Sequence, residues 1–278
     1  MTTTLRPTGP SKQGADGARA RAYDVCDNGR PVGAVEIATD PAFGATAGVL
    51  RSLRIDASHR RRGRGVIAAL AAEEVLRGWG CVQVRLEVPS DNEAAGRLAA
   101  ALGYTERSRN MIKSLPQTPP ALPGGLVARP MSEDEFTRWE GTAIAAYAQE
   151  WIGRGVPADQ ALRKSEADHA RLLPQGLSSE GVRLHVLVHD GEVVGHIWVA
   201  RFEKDPGSSV GWVYDVEVRE EYRGRGYGRA LMLEAEGMAL AAGVDRLGLH
   251  VFAANTPALR LYESLGYETT NHNLAKPL

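Results

Sequence analysis

Between His185 and Arg201 the apolar runs Val186–Val188, Val193–Val194 and Ile197–Ala200 flank a turn signal at Asp190-Gly191. That pattern predicts two strands joined by a tight turn. VGWVYDVEV (210–218) predicts a further strand. From Gly226 to Ala242 the apolar residues recur at helical spacing and stop before Gly243, a favoured residue just past a helix end. Residues 245–252 read as a strand, and 257–265 as a short helix with Pro257 at its first position. A last strand follows from Tyr267. Upstream, LVARPM (126–131) reads as a strand, and Ser132 with Glu135 forms an S-x-x-E capping box opening a helix to about Trp151. Pro157 opens another helix, to about Leu173.

The same order of elements occurs earlier. Shifting the chain by 163 residues lays 47–115 over 210–278 without a gap, and 21 of the 69 positions are identical. Arg60, Gly63, Gly65 and Asn92 fall on Arg223, Gly226, Gly228 and Asn255, and Leu102-Gly103-Tyr104 on Leu265-Gly266-Tyr267. A shift of 162 extends the match upstream, placing Gly29 on Gly191. The chain therefore carries two copies of one unit. The expected division is a flexible tail over 1–20, a truncated copy over 21–115, a linker over 116–125 and a complete copy over 126–278. The linker is expected from the prolines between Leu115 and Gly125. The first copy shows nothing before Tyr23 to match the strand and two helices at the front of the second.

Composition narrows the function classes. The 278 residues hold 33 basic and 34 acidic side chains, a net charge of −1, which disfavours a nucleic-acid partner. Of the basic residues 28 are arginine and only five lysine, a bias that fits a GC-rich bacterial source. Two cysteines, Cys26 and Cys81, cannot build a disulfide framework or a four-cysteine zinc site. No metal site is expected. No apolar run is long enough to span a membrane, and the N-terminus lacks a secretory signal's apolar stretch. A cytoplasmic protein without a membrane partner is expected.

The sharpest chemical feature is the loop Arg223-Gly224-Arg225-Gly226-Tyr227-Gly228, between a strand and a helix. Glycines let such a loop turn tightly, and the helix start presents unpaired N–H groups to an anion such as a pyrophosphate. It is not a Walker loop, because no Gly-Lys-Ser/Thr follows.

The order Val216-Glu217-Val218, then this loop, then a helix, resembles the GNAT acetyltransferase superfamily. Asn255-x-x-Ala258-x-x-Leu261-Tyr262-x-x-x-Gly266-Tyr267 resembles that family's second signature. The resemblance covers 126–278 fully and 21–115 in part. It implies an α+β fold of two GNAT units, each a mixed, largely antiparallel sheet flanked by helices, with a splayed strand pair for coenzyme A. It implies acetyl-CoA as co-substrate and an amine-bearing acceptor. The backbones of Val216 and Val218 would pair with the pantetheine arm, and the Val218 N–H would serve the carbonyl oxygen. The loop from Arg223 through Gly224, Arg225, Gly226 and Tyr227 to Gly228 would hold the pyrophosphate. Asn255 would lie near the pantetheine or cap the following helix.

Tyr262 is the expected general acid for the departing thiolate; simple packing would also account for a tyrosine there. His250 is a candidate base, as are Asp215 and Glu217, which share one face of their strand. A hydrogen-bonded strand histidine and solvated carboxylates are the plain alternatives. Tyr147, Trp151, Trp198, Trp212 and Tyr214 are aromatics available to an acceptor wall. In the first copy the position of Tyr262 is Ala99 and that of His250 is Glu87. The functional expectation is an N-acetyltransferase acting on a primary amine of a small molecule or peptide through the second copy. The alternatives are a non-catalytic acyl-CoA sensor or scaffold, and a mycothiol-synthase-like acetyltransferase. Monomer and homodimer both remain open.

Overall fold

The computed structural model describes all residues except 1–2, 15–16, 41–45, 154–155 and 206–207. The strands are β1 (Thr3–Pro7), β2 (Lys12–Gln13), β3 (Arg19–Asp27), β4 (Arg30–Thr39), β5 (Ala47–Ile55), β6 (Gln83–Pro89), β7 (Thr105–Ser114), β8 (Leu126–Pro130), β9 (Val182–His189), β10 (Glu192–Asp205), β11 (Ser208–Val218), β12 (Arg246–Phe252) and β13 (Glu268–Pro277). The helices are α1 (Arg64–Gly78), α2 (Glu93–Ala101), α3 (Glu133–Gly153), α4 (Ala158–Leu172), α5 (Tyr227–Ala241) and α6 (Thr256–Ser264).

These elements form two compact units, residues 1–109 with 270–278, and residues 110–269. Unit 1 orders its strands β1-β3-β4-β5-β6-β13, with β2 also on β3. Unit 2 orders them β8-β9-β10-β11-β12 and adds the end of β7 beside β12. The pairs β1–β3, β2–β3, β3–β4, β4–β5, β6–β13, β8–β9, β9–β10 and β10–β11 are antiparallel, and β5–β6 and β11–β12 are parallel. This is the mixed, largely antiparallel architecture that the family resemblance implies.

Each unit completes its sheet with the last strand of the other repeat copy. β13, the end of the second copy, lies in unit 1 and pairs along Asn271–Pro277 with β6. Residues 110–114 of β7, the end of the first copy, belong to unit 2. The N-terminal segment departs from expectation. Thr3–Pro7 is not a flexible tail but a strand paired with Tyr23–Asp27, so the first copy does own a first strand. Among the described residues it has no counterpart of the two front helices, and only eleven residues separate Pro7 from Arg19.

Local chemistry explains the elements around the site. Helix α3 starts at the capping box: Glu135 N donates to Ser132 Oγ at 3.3 Å, and Ser132 N donates to Glu135 Oε2 at 2.8 Å. Arg129 closes on the same carboxylate at 2.7 and 2.8 Å. Helix α5 buries Ala230, Leu231, Ala235, Met238 and Ala239 against one face of the unit 2 sheet. Each large apolar side chain there contributes about 1.5–3 kcal/mol. The opposite face carries α3 and α4 over an aromatic core of Phe136, Trp139 and Trp198, with Leu184 and Val186. Tyr147 and Trp151 stack edge-on at 5.8 Å in that layer.

Candidate functional site

The site lies where β11 and β12 part. Their parallel pairing runs only from Gly211–Val213 with Leu247–Leu249. Just beyond it, β11 bulges against β10: Val199 faces Val213 and Trp198 faces Asp215, leaving Tyr214 unopposed. A bulge re-aims side chains, and here it puts Tyr214 and Asp215 on the same side. Tyr214 stacks on Trp198 with centroids 4.9 Å apart, and Asp215 meets Trp139 of α3. Val213 and Val216 turn to the α5 side.

Asp215 is the centre of the polar geometry. His196 Nε2 lies 2.8 Å and Trp139 Nε1 3.0 Å from its Oδ2. Trp139 Nε1 is also 3.1 Å from His196 Nε2. An indole nitrogen only donates, so the arrangement closes with both rings donating to the carboxylate. Burial pushes the Asp215 carboxyl upward, but the bonds from His196, Trp139 and the Val216 N–H outweigh it and hold the group below its ordinary value. The lowered group stands ionised, and its side chain keeps 36% of its surface open.

Tyr262 lies in α6, buried beside Tyr267 at 6.0 Å between centroids. Burial, then the Asp215 charge, pushes its phenol up to about 12. It therefore keeps its proton at neutral pH. The Asp215 charge is thus felt at the Tyr262 phenol.

The loop predicted to hold a pyrophosphate has the required backbone. Gly224 and Gly226 have φ of 77° and 84°, and Gly226 precedes α5 as its N-cap. No side chain caps that helix start, so its first N–H groups have no internal side-chain acceptor. Arg223 Nε donates to Val218 O at 3.1 Å, tying the loop to β11. Arg225 is exposed with its guanidinium 5.7 Å from the Tyr222 ring centroid, while the Tyr227 hydroxyl turns inward to His189 at 2.8 Å. Uncapped N–H groups, left-handed glycines and a parted strand pair fit a coenzyme A diphosphate and its arm. Val216 and Val218 lie on β11 beyond the last pair with β12. Asn255 caps α6, its Oδ1 accepting from Ala258 N at 3.2 Å.

Glu217 is exposed on β11. His250 is exposed on β12, with Nδ1 2.9 Å from Asn110 Oδ1. The structure thus gathers His196 and Trp139 on Asp215, two residues the sequence reading did not single out. The available signal was the motif His196-Ile-Trp198 on the strand facing Asp215. Among the described residues, no group of three or more His, Cys, Asp or Glu is placed to hold a metal ion, and Cys26 and Cys81 are buried free thiols.

Unit 1 repeats the scaffold and lacks the polar centre. β5 and β6 pair only over Ala47–Val49 with Gln83–Arg85, and Arg51 is the bulged residue. Gly33 faces Ile55 as Gly195 faces Val218, so the registers correspond. In that register the positions of His196, Asp215 and Tyr262 are Ala34, Ser52 and Ala99.

Comparison with known proteins follows the same division. The Acetyltransferase (GNAT) family matches twice, over residues 6–104 and 144–267. A mycothiol acetyltransferase of Beutenbergia cavernae is 32% identical over 252 residues, 83% of this chain and 79% of that protein. YycN of Bacillus subtilis, named an uncharacterized N-acetyltransferase, is 30% identical over 156 residues, 55% of this chain and 99% of its own. A GCN5-related N-acetyltransferase from Sphaerobacter thermophilus superposes with a TM-score of 0.60 at 22% identity, covering 92% of this chain and 80% of that one. A tandem GNAT protein from the clavulanic acid pathway shares the fold with a TM-score of 0.51 at 22% identity, over 94% and 83% of the two chains. With both copies matched, and relatives that are N-acetyltransferases, the chain belongs to the GNAT family as a tandem acetyl-CoA-dependent acyltransferase.

Proposed function

We propose that unit 2 alone acetylates a primary amine of a small molecule, with Tyr262 and Asp215 as its working groups. One observation carries this reading: the polar centre at the parted strands exists in unit 2, while unit 1 keeps the fold and replaces its members by Ala34, Ser52 and Ala99. The cleft, the loop of Arg223–Gly228 and the backbones of Val216 and Val218 would hold the coenzyme, which supplies the acetyl group as a thioester.

Asp215, ionised and braced by His196 and Trp139, is suited to grip and orient an acceptor ammonium. A carboxylate held below its ordinary pKa is a poor final proton acceptor, so it acts as a charge partner, and the amine's proton must pass onward to water or His250. Tyr262 keeps a proton available for the thiolate that departs. The Val218 N–H is the proposed donor to the carbonyl oxygen. Glu217, exposed on the same strand face, is a second charge available to the acceptor.

Incubation with acetyl-CoA and a panel of amines, read by thiol release and product mass, tests the reaction. Turnover with one or more amines that Tyr262→Phe reduces by orders of magnitude supports it; full activity in Tyr262→Phe refutes the assigned role. A narrower reading is favoured by relatives named mycothiol acetyltransferases, which are 30–32% identical over most of this chain. A cysteinyl amino-sugar belongs in the panel for that reason, and indifference to it removes that reading. No helix among the described residues is long and apolar enough to cross a membrane, and a cytoplasmic site of action is proposed with the acetyl-CoA pool.

A further inference from the structure

Unit 1 contains a cavity of about 750 Å³ that the reaction above does not use. It is bounded by Leu50–Ile55 of β5, by Leu86–Pro89 of β6, by the loop from His59 to Gly65, and by α2. Its two ends differ in chemistry.

The outer end is built for phosphate. Arg61 has φ of 60° and Gly63 of 74°, matching 77° at Gly224 and 84° at Gly226. Arginine rarely adopts that left-handed conformation, so the loop keeps its shape even where a glycine has been replaced. Arg60 Nε donates to Ile55 O at 2.7 Å, the counterpart of the Arg223 bond to Val218. Helix α1 begins without a side-chain cap, and the exposed Arg60 and Arg61 just before it line the cavity.

The inner end is apolar. Leu50, Leu86, Val88, Leu98, Ala99 and Leu102 line it. Ala99 stands where unit 2 buries Tyr262, so the place filled by a phenol there belongs to the cavity here. Two hydroxyls line the cavity: that of Tyr104 is spent on Glu73 at 2.9 Å, and Ser52 stands where unit 2 has Asp215.

We propose that unit 1 binds an acyl-coenzyme A whose acyl chain is longer than acetyl, in the four-to-eight-carbon class, and holds it intact. The diphosphate goes to the loop and α1, and the chain goes into the recess beside Ala99. The groups that would promote transfer are replaced by Ala34, Ser52 and Ala99, so the thioester persists. Each methylene buried fully in an apolar recess raises affinity about fourfold, which makes chain length the distinguishing variable. The inference stands on the cavity and the internal comparison, independently of the amine chemistry proposed for unit 2.

Isothermal titration of the full chain with acetyl-CoA and hexanoyl-CoA tests it, with unit 2 read separately through the KM for acetyl-CoA in turnover. The expected result is a site that prefers hexanoyl-CoA at least tenfold, and recovery of hexanoyl-CoA unhydrolysed. Ala99→Phe should weaken hexanoyl-CoA at that site at least tenfold. Arg61→Glu, on the exposed loop, should weaken both thioesters there, and it carries the test if Ala99→Phe fails to fold. Equal affinity for the two thioesters at that site overturns the inference. Hexanoyl-CoA binding untouched by Arg61→Glu overturns it equally. Loss of all amine turnover with this binding intact would refute the unit 2 reading alone.

Discussion

Lys276 Nζ lies 2.7 Å from Glu73 Oε2, although 203 residues separate them in the chain. The mirror pair is Lys113 Nζ with Glu236 Oε1 at 2.6 Å. Glu73 and Glu236 are equivalent by the repeat, as are Lys113 and Lys276, so each buried glutamate takes the lysine of the other copy. Tyr104 donates to Glu73 at 2.9 Å. Its counterpart Tyr267 has its phenol pushed above the ordinary range by burial first and by Glu236 next. The exchange of last strands is thus held by a charged contact under each sheet.

Removing one partner of such a pair strands a charge in the interior and costs about 3–5 kcal/mol. Lys276→Met should therefore destabilise unit 1, although residue 276 belongs to the second copy. Hydrogen exchange should accelerate in β6 and α1, with β9 and β10 unaffected. Uniform acceleration in β9 and β10 instead would show that β13 serves the copy from which it comes. Replacing both members, as Glu73→Met with Lys276→Met, should recover most of the loss.

The pH profile should report the coupling between Asp215 and Tyr262. Burial raises the Tyr262 phenol, and the Asp215 charge raises it further, to about 12. A raised acid keeps its proton further into alkali, so the alkaline loss of kcat assigned to this group should lie above about pH 10. Asp215→Asn removes the second cause, and the alkaline limb should move to lower pH. Tyr262→Phe should lower kcat by about 10²–10⁴-fold, with little change in acetyl-CoA affinity by titration. An unmoved alkaline limb in Asp215→Asn would separate the two groups.

In the proposed reaction His196 is a positioning residue, because it touches Asp215 rather than the acceptor. His196→Gln, whose amide can still donate, should keep much of the activity, whereas His196→Ala should raise the amine KM more than it lowers kcat. Losing a charge-assisted bond of this kind is worth about 1.5–3 kcal/mol, or roughly 10–100-fold. Steady-state kinetics at fixed saturating acetyl-CoA separates the two constants. Equal behaviour of the glutamine and alanine variants would mean the ring only fills space.

The repeat, the loop and the helix caps were legible because each is local: a spacing, a glycine, a capping residue; the parted strands followed only from the family resemblance. Asn255 and Ser132 cap the helices they precede, and α5 ends at Ala241 as Gly243 predicts. Partnership between distant strands was not legible. Lys113 and Lys276 are equivalent, so periodicity cannot tell which glutamate each one meets. The Tyr214 bulge was hidden for a related reason, since it depends on a register with β10 that strict alternation along β11 does not reveal. His196 and Trp139 enter the site through that register and through α3. Thr3–Pro7 was missed because the polar, Thr- and Pro-containing segment has weak strand character until β3 supplies its hydrogen bonds.

Glu135 offers a test of the scaffold that carries Trp139 to Asp215. The hydrogen bonds from Arg129 lower its carboxyl most; burial opposes them, and the Ser132 N–H adds to the lowering, leaving the group at about 2. A depressed folded-state pKa stabilises the fold above the ordinary carboxylate value near 4.5 and loses that contribution as pH falls toward 2. Arg129 is 44% exposed, so solvent screens the ion pair and discounts its share of the stability, to which the cap adds its own. Glu135→Ala should cost about 1–2 kcal/mol at pH 7, and Glu135→Gln less, since its amide oxygen still accepts from Ser132. Thermal unfolding from pH 7 down to pH 2 should show the difference between wild type and Glu135→Ala shrinking below pH 4.5. A constant difference across that range would mean that the carboxylate charge contributes nothing to holding α3 in place.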